Sequence, residues 1–145
     1  MQTFLRFLFP VSRGGKKADT LLLLLRLAFG LLFMTHGCTK LAGFAALSET
    51  FPDPLGVGHV ASLVLAIFGE LACSLAFVCG FLHRLCLLPM IFTMLMATFV
   101  IHAGGNLGER ELSLLYLLVF LFSYAAGPGK FSIDRFLGKR LCTRG

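Results

Sequence analysis

Residues 21–42 read LLLLLRLAFGLLFMTHGCTKLA, an apolar run long enough to cross a lipid bilayer as a helix. Arg26, His36 and Lys40 interrupt this run. A charged side chain at the bilayer centre costs roughly 2.5–3.5 kcal/mol even on the scales that give the smallest penalties. The three residues are therefore expected to face other helices, so the stretch predicts one member of a membrane bundle with buried polar groups.

Three more apolar segments follow the first, and each carries or borders ionisable residues. Glu70 lies in the middle of the second, His102 ends the third, and Glu109 and Glu111 open the fourth. Charged residues make up 14% of the 145 residues, against about 25% in an average soluble domain, and the mean hydropathy is +0.88. The sequence predicts an all-α fold, a single domain over residues 1–145 built as a four-transmembrane-helix bundle. The predicted spans are about 20–42, 57–80, 82–103 and 109–126, with tails at 1–19 and 127–145.

The distribution of charge predicts the orientation of these spans. Basic residues precede the first span, occupy the turn between the second and third, and follow the fourth: Arg6, Arg13, Lys16, Lys17, Arg84, Lys130, Arg135, Lys139, Arg140 and Arg144. The other side carries Glu49, Asp53, Glu109 and Glu111, with Arg110 as its flanking cation. By the positive-inside rule both termini are cytoplasmic. The net charge of +6 then fits attraction to anionic lipid head groups, and no nucleic-acid partner is expected.

The second span carries a stripe of small residues that predicts close helix packing: Ser62, Ala66, Gly69, Cys73, Ala76 and Gly80. Glu70 lies beside the stripe and is expected to point into the bundle. Counting depth at about 1.5 Å per residue puts Arg26 within reach of Glu70, which predicts a buried Arg26–Glu70 ion pair that locks two helices together. A role for Glu70 in proton or substrate handling is the alternative, because ionisable groups inside membranes often serve function.

A second polar group gathers near the outer face. His36 and Lys40 are four residues apart and share one face of the first helix. The candidate ligand-binding residues are His36, Lys40, His102, Glu111 and Tyr116. Imidazole and ammonium groups donate hydrogen bonds that the two carbonyls of a quinone head group accept, and the loop around Phe51-Pro52-Asp53-Pro54 is able to fold over such a pocket. The alternative is that these side chains simply reach the interface.

Cysteines and histidines give no indication of a metal or thiol centre. The five cysteines form no C-x-x-C pair, and no two are spaced as metal ligands usually are: Cys38, Cys73, Cys79, Cys86 and Cys142. His36 and His102 are too few ligands for a metal. We expect no metal site and no intrinsic cofactor, and no catalytic residue is identified.

Three stretches of the chain resemble the DoxX family of small membrane proteins. They are Leu25-Arg26-Leu27-Ala28-Phe29-Gly30 leading to His36-Gly37-Cys38-Thr39-Lys40-Leu41, then Gly69-Glu70-Leu71, and finally Gly127-Pro128-Gly129-Lys130-Phe131-Ser132-Ile133-Asp134. The resemblance covers about residues 20–136. It implies a four-helix bundle in the bacterial cytoplasmic (inner) membrane, with Arg26, His36, Lys40 and Glu70 as the polar positions of the family.

The resemblance also implies a kind of function. Relatives in this family include small membrane subunits of thiosulfate:quinone oxidoreductase and members of envelope complexes that handle sulfur or redox stress. The chain is then at most the membrane subunit of a quinone-linked oxidoreductase, with a membrane quinone as its cofactor. A protein partner in an envelope or redox complex is expected, and so is the formation of homo-oligomers. The alternative is a non-enzymatic anchor or scaffold for an envelope complex. Four spans without an internal repeat do not favour a transporter.

Overall fold

The structure is a computed structural model that describes residues 15–142, and the side chains of residues 15–138. This part of the chain is helical and contains no strand. The helices are α1 (Lys16–Ala42), α2 (Phe44–Leu47), α3 (His59–Cys79), α4 (His83–Ile101), α5 (Leu107–Ala126) and α6 (Ile133–Cys142). Residues 1–14, in the predicted amino-terminal tail, lie outside the described residues.

Three of these helices, α1, α3 and α4, are long and apolar enough to cross a membrane. α5 has 20 residues, but its first turns carry Glu109, Arg110 and Glu111. The prediction of an all-helical membrane protein is confirmed, with three candidate spans. α1 begins at Lys16, four residues before the predicted span, and α6 occupies part of what was predicted as a plain carboxyl-terminal tail.

Small residues bring α1, α3 and α4 close together. A Cβ atom on Gly37 of α1 would lie 2.9 Å from the carbonyl carbon of Glu70, and one on Gly69 of α3 would lie 2.8 Å from Thr93 Oγ1 of α4. Neither position has room for a side chain. The stripe predicted on α3 is buried at Ser62, Ala66, Gly69, Cys73 and Gly80, in the way that small residues let membrane helices approach.

Two helices depart from regular α geometry. α3 contains a π-helical turn at Phe68–Ala72, between the α-helical parts His59–Ile67 and Cys73–Cys79. α4 is α-helical over His83–Met96 and ends in a second π-helical turn at Ala97–Ile101. Such turns insert one residue, re-aim the side chains around them and are frequent at functional sites. Pro89 also lies inside α4, where its missing N–H removes one helical hydrogen bond.

An aromatic core joins α1, α3 and α5. The ring centroids of Phe33 and Phe120 are 4.9 Å apart, and those of Phe77 and Phe120 are 5.8 Å apart, both in edge-to-face geometry. Phe33, Phe77 and Phe120 are fully buried. Edge-to-face pairs of this kind stabilise a core beyond their buried area. The core separates a cavity beyond Tyr116 from the end of the bundle where α3 turns into α4.

Candidate functional site

A cavity of about 490 Å³ lies between α1, α3, α4, α5 and the loop that precedes α3. Aromatic, proline, methionine and aliphatic side chains form most of its wall. Its polar lining residues are His36, Lys40, Ser62, Glu70, Thr93, His102, Glu109, Ser113 and Tyr116. Both π-helical turns border it, the first through Phe68 and Glu70 and the second through Ala97 and Ile101.

A salt bridge forms part of the cavity wall. Lys40 Nζ of α1 lies 2.5 Å from Glu70 Oε2 of α3 and donates a hydrogen bond to it. The Glu70 side chain is 4% exposed and that of Lys40 is 24% exposed. The π-helical turn carries Glu70, while the missing side chain at Gly37 lets α1 approach that turn. The buried carboxylate therefore meets a cation that still has donors to offer.

His36 and Tyr116 stand beside this pair. Their rings meet edge to face with centroids 6.0 Å apart, and Phe33 packs on the same tyrosine at 5.1 Å. Tyr116 is buried and His36 is half-buried. Within residues 15–138, neither the Tyr116 hydroxyl nor the His36 imidazole has a hydrogen-bond partner. Both groups line the cavity and remain able to bind something inside it.

The rim at the start of α5 differs from its prediction at one residue. His102 is half-buried and lines the cavity, as does Glu109, whereas Glu111 is exposed and does not line it. Two residues along an α-helix are separated by about 200° of rotation, so Glu109 and Glu111 point to opposite sides of α5. Assigning Glu111 to the group was therefore wrong, and Glu109 takes its place.

The loop before α3 covers part of the cavity with Phe51, Pro52, Pro54 and Leu55. Asp53 fastens it: one carboxylate oxygen accepts from Ser62 Oγ at 2.7 Å, and the other accepts from the Gly58 N–H at 2.7 Å. The Ser62 hydrogen bond is the main cause that lowers the pKa of Asp53 below its ordinary value. The loop is held closed by a charged carboxylate.

Arg26 and Glu70 do not pair, which corrects the predicted ion pair. The Arg26 guanidinium donates to four backbone carbonyls: Phe77 from Nε at 3.2 Å, Val78 and Phe131 from Nη2 at 3.0 Å each, and Pro128 from Nη1. Two of these belong to the last turn of α3, where carbonyls have no partner within the helix. Arg26 thus provides hydrogen-bond donors for carbonyls at the carboxyl end of α3 and for carbonyls of the segment after α5.

The reason for the error is the register between α1 and α3. Gly37 packs beside Glu70, and Arg26 lies level with Phe77, seven residues further along α3. Seven residues of helix correspond to about 10 Å, beyond the reach of one side chain that is already engaged. Lys40, placed with His36 in the prediction, is the residue within reach of Glu70.

Two buried carboxylates at the same end of the bundle were missed from the sequence. Asp19 of α1 accepts from the Lys130 backbone N–H at 3.1 Å and forms a 3.1 Å ion pair with its ammonium group. Asp134 accepts from the backbone N–H groups of Leu82 and His83 at 2.8 Å each, and burial raises the pKa of Asp134. The sequence feature that could have indicated both roles is the Gly127–Asp134 stretch, which folds back onto the end of the bundle where α3 turns into α4.

The fold defines the class of protein: an all-helical, multi-pass membrane protein whose helices enclose a cavity with ionisable side chains. A model of the DoxX family matches residues 21–103, from α1 to just beyond α4. The chain belongs to the DoxX family. With its three candidate spans, it is a multi-pass protein of the bacterial inner membrane.

Two relatives carry names that agree with this placement. The chain is 32% identical over 130 residues to "Inner membrane protein YqjF" of Escherichia coli (strain K12), an alignment that covers 86% of this chain and 98% of that protein. It is 29% identical over 141 residues to "Uncharacterized membrane protein Rv3486" of Mycobacterium tuberculosis (strain ATCC 25618 / H37Rv), with 80% of each chain covered. No solved structure matches the chain.

Proposed function

We propose that the cavity binds the head group of a membrane quinone, and that the chain is the small membrane subunit of a quinone-linked redox system for sulfur or oxidative-stress chemistry. One observation carries the proposal. Hydrogen-bonding groups of Lys40, His36 and Tyr116 lie together in a cavity whose other walls are largely apolar.

The chemistry of the lining suits this ligand. A quinone carbonyl is a hydrogen-bond acceptor, and the Lys40 ammonium and the Tyr116 hydroxyl are donors. The His36 imidazole is able to donate or accept a hydrogen bond. Ligand cavities commonly measure about 300–1,000 Å³, so 490 Å³ holds a substituted ring while a long apolar tail extends into lipid.

Orientation is part of the same proposal. We take α5 as a fourth span, with Glu109 and Glu111 at its outer end and both chain termini in the cytoplasm, because the basic residues flank the other end of the bundle. The cavity then opens toward the outer face, beneath the loop fastened by Asp53. In this arrangement the chain supplies the quinone site, and a protein partner of the envelope supplies the redox reaction that uses it.

The test is mass spectrometry of small molecules extracted from the protein after purification in mild detergent. We expect quinone at close to one per chain in the wild type, and a loss of about tenfold or more in His36→Ala, in which a hydrogen-bonding ring in the site is removed. Thr35→Ala, which truncates an exposed neighbour outside the cavity lining, is the matched control and keeps its quinone.

Quinone at the level of bulk lipid in the wild type, or equal quinone in both variants, contradicts the proposal. That result favours the alternative function, a non-enzymatic anchor or scaffold for an envelope complex. The scaffold interpretation is then tested by crosslinking in membranes, with identification of the protein that the chain holds there.

A further inference from the structure

The carboxyl-terminal helix α6 leaves an apolar side exposed. Its sequence is IDRFLGKRLC, in which Ile133, Phe136 and Leu137 recur at the three- and four-residue steps that place side chains on one face of a helix. Ile133 is 43% exposed and Phe136 is 57% exposed, while Phe131 is also exposed just before the helix begins. A face of this composition requires an apolar environment.

Hydrogen bonds fix where that face lies. The Asp134 N–H donates to the Gly80 carbonyl at 3.0 Å, and the Asp134 carboxylate accepts from the N–H groups of Leu82 and His83. Gly80 follows the last residue of α3 directly, and Leu82 directly precedes α4. The first turn of α6 therefore sits at the level where two membrane-spanning helices end, which is the boundary between acyl chains and head groups.

The charge of this segment identifies the occupant. Residues 127–145 contain Lys130, Arg135, Lys139, Arg140 and Arg144 against a single acidic side chain, Asp134. That carboxylate is buried against the α3–α4 turn and the Lys130 ammonium is paired with Asp19, which leaves Arg135, Lys139, Arg140 and Arg144 as the basic excess of the segment by sequence. Amphipathic helices with this combination lie in the plane of the interface, buried about 5–10 Å, and bind anionic lipid.

We propose that α6 is an interfacial helix that docks onto anionic phospholipids at the end of the bundle where α3 turns into α4. Its apolar side enters the acyl boundary, and the excess of basic residues after Lys130 attracts it to head-group phosphates. The inference does not depend on what the cavity binds, and it assigns the carboxyl-terminal segment to the membrane rather than to a soluble partner.

The chain contains no tryptophan, so one introduced tryptophan reports a single position. Phe136→Trp is reconstituted as the full chain into vesicles of phosphatidylethanolamine and phosphatidylglycerol that contain a brominated phospholipid. We expect quenching that is strongest when the bromine lies near the glycerol end of the acyl chain. Ile133→Trp is a second reporter if Phe136→Trp fails to fold, and Leu31→Trp, exposed near the middle of α1, is the deep control quenched best by bromine further down the chain.

A second measurement tests the charge in the Phe136→Trp background. Each Lys or Arg near an anionic surface contributes about fivefold to binding, so Lys139→Gln with Arg140→Gln should weaken docking by roughly 25-fold in phosphatidylglycerol vesicles at low salt. The loss appears as reduced quenching of the introduced tryptophan. Lys16→Gln with Lys17→Gln removes the same charge from the start of α1, and is expected to leave that quenching unchanged.

Either of two results overturns the proposal. If the tryptophans of Phe136→Trp and Ile133→Trp are quenched by acrylamide in the water and untouched by brominated lipid, α6 lies away from the membrane. Equal lipid quenching in phosphatidylcholine and phosphatidylglycerol vesicles, unaffected by the charge-removing variant, would leave an apolar contact without recognition of anionic lipid.

Discussion

The two ends of this bundle use buried ionisable residues in opposite ways. At the end where α3 turns into α4, Arg26 is bound to four backbone carbonyls and Asp134 to two backbone N–H groups. In the cavity at the other end, Lys40 and Glu70 bind each other, and the polar atoms of His36 and Tyr116 have no hydrogen-bond partner within residues 15–138.

The difference separates structural from functional polar groups inside a membrane protein. A side chain whose hydrogen bonds go to the backbone of its own chain stabilises the fold and has little left for a ligand. A side chain that is buried, lines a cavity and retains unused donors is available for binding. The substitutions below test this distinction, from the largest expected effect to the smallest.

Replacing Arg26 should cost the most stability. Arg26→Ala removes charge-assisted donors from four carbonyls, and we expect a loss of about 4 kcal/mol or more in the free energy of unfolding, because hydrogen bonds to charged groups contribute roughly 1.5–3 kcal/mol each. Thermal melting in detergent measures it. Arg26→Lys keeps the charge without the forked donors and should fall between. If Arg26→Ala had the melting temperature of the wild type, the distinction between the two ends would be lost.

Neutralising Glu70 should affect binding more than folding. In Glu70→Gln the amide oxygen still accepts from Lys40, and Lys40 is exposed enough to stay hydrated, so we expect only about 1 kcal/mol of lost stability. The neutral amide holds Lys40 less firmly than the carboxylate does, and bound quinone should fall by about tenfold. Glu49→Gln, an exposed change in the loop after α2, is the control. A large drop in melting temperature with quinone retained would assign Glu70 to the structural class.

The two tyrosines of the chain form a matched pair. Tyr116→Phe removes a hydroxyl that lines the cavity, whereas Tyr124→Phe removes one near Arg84, outside the lining. One net hydrogen bond contributes about 1 kcal/mol, so quinone recovery should fall about fivefold in Tyr116→Phe and stay constant in Tyr124→Phe. Both variants should melt like the wild type. Equal recovery from the two would remove Tyr116 from the binding site.

The Asp53 fastening should respond to acid with a small and local effect. The pKa of Asp53 is lowered in the folded loop, so its contribution is complete above the ordinary aspartate value of about 3.9 and is lost as the pH falls through the lower folded value. Hydrogen exchange at the Val57 and Gly58 amides, corrected for intrinsic pH dependence, measures the opening. Asp53→Asn should exchange faster at neutral pH and lose the acid response, and Glu49→Gln should retain it.

Much of the fold was predictable because apolar length and charge placement are properties of single segments. The helices, their small-residue stripe and the shared face of His36 and Lys40 follow from spacing along one helix at a time. The Arg26–Glu70 pairing failed because it depends on the register between two helices, which the contacts of Gly37 and Gly69 fix. The roles of Asp19 and Asp134 were missed because their partners lie in distant segments: Lys130 for Asp19, and the backbone N–H groups of Leu82 and His83 for Asp134.

The contacts of Arg26 also bear on the order in which the protein is made. Its furthest partner, the Phe131 carbonyl, lies 105 residues later in the chain. At about 5–20 residues per second, the ribosome adds that residue roughly 5–20 s after Arg26. For the second half of this interval the arginine of the first helix still lacks two of its four acceptors, the carbonyls of Pro128 and Phe131. Burial of Arg26 is therefore completed only after Phe131 has been made, and a chain cut before Pro128 would leave the guanidinium without two of its four acceptors.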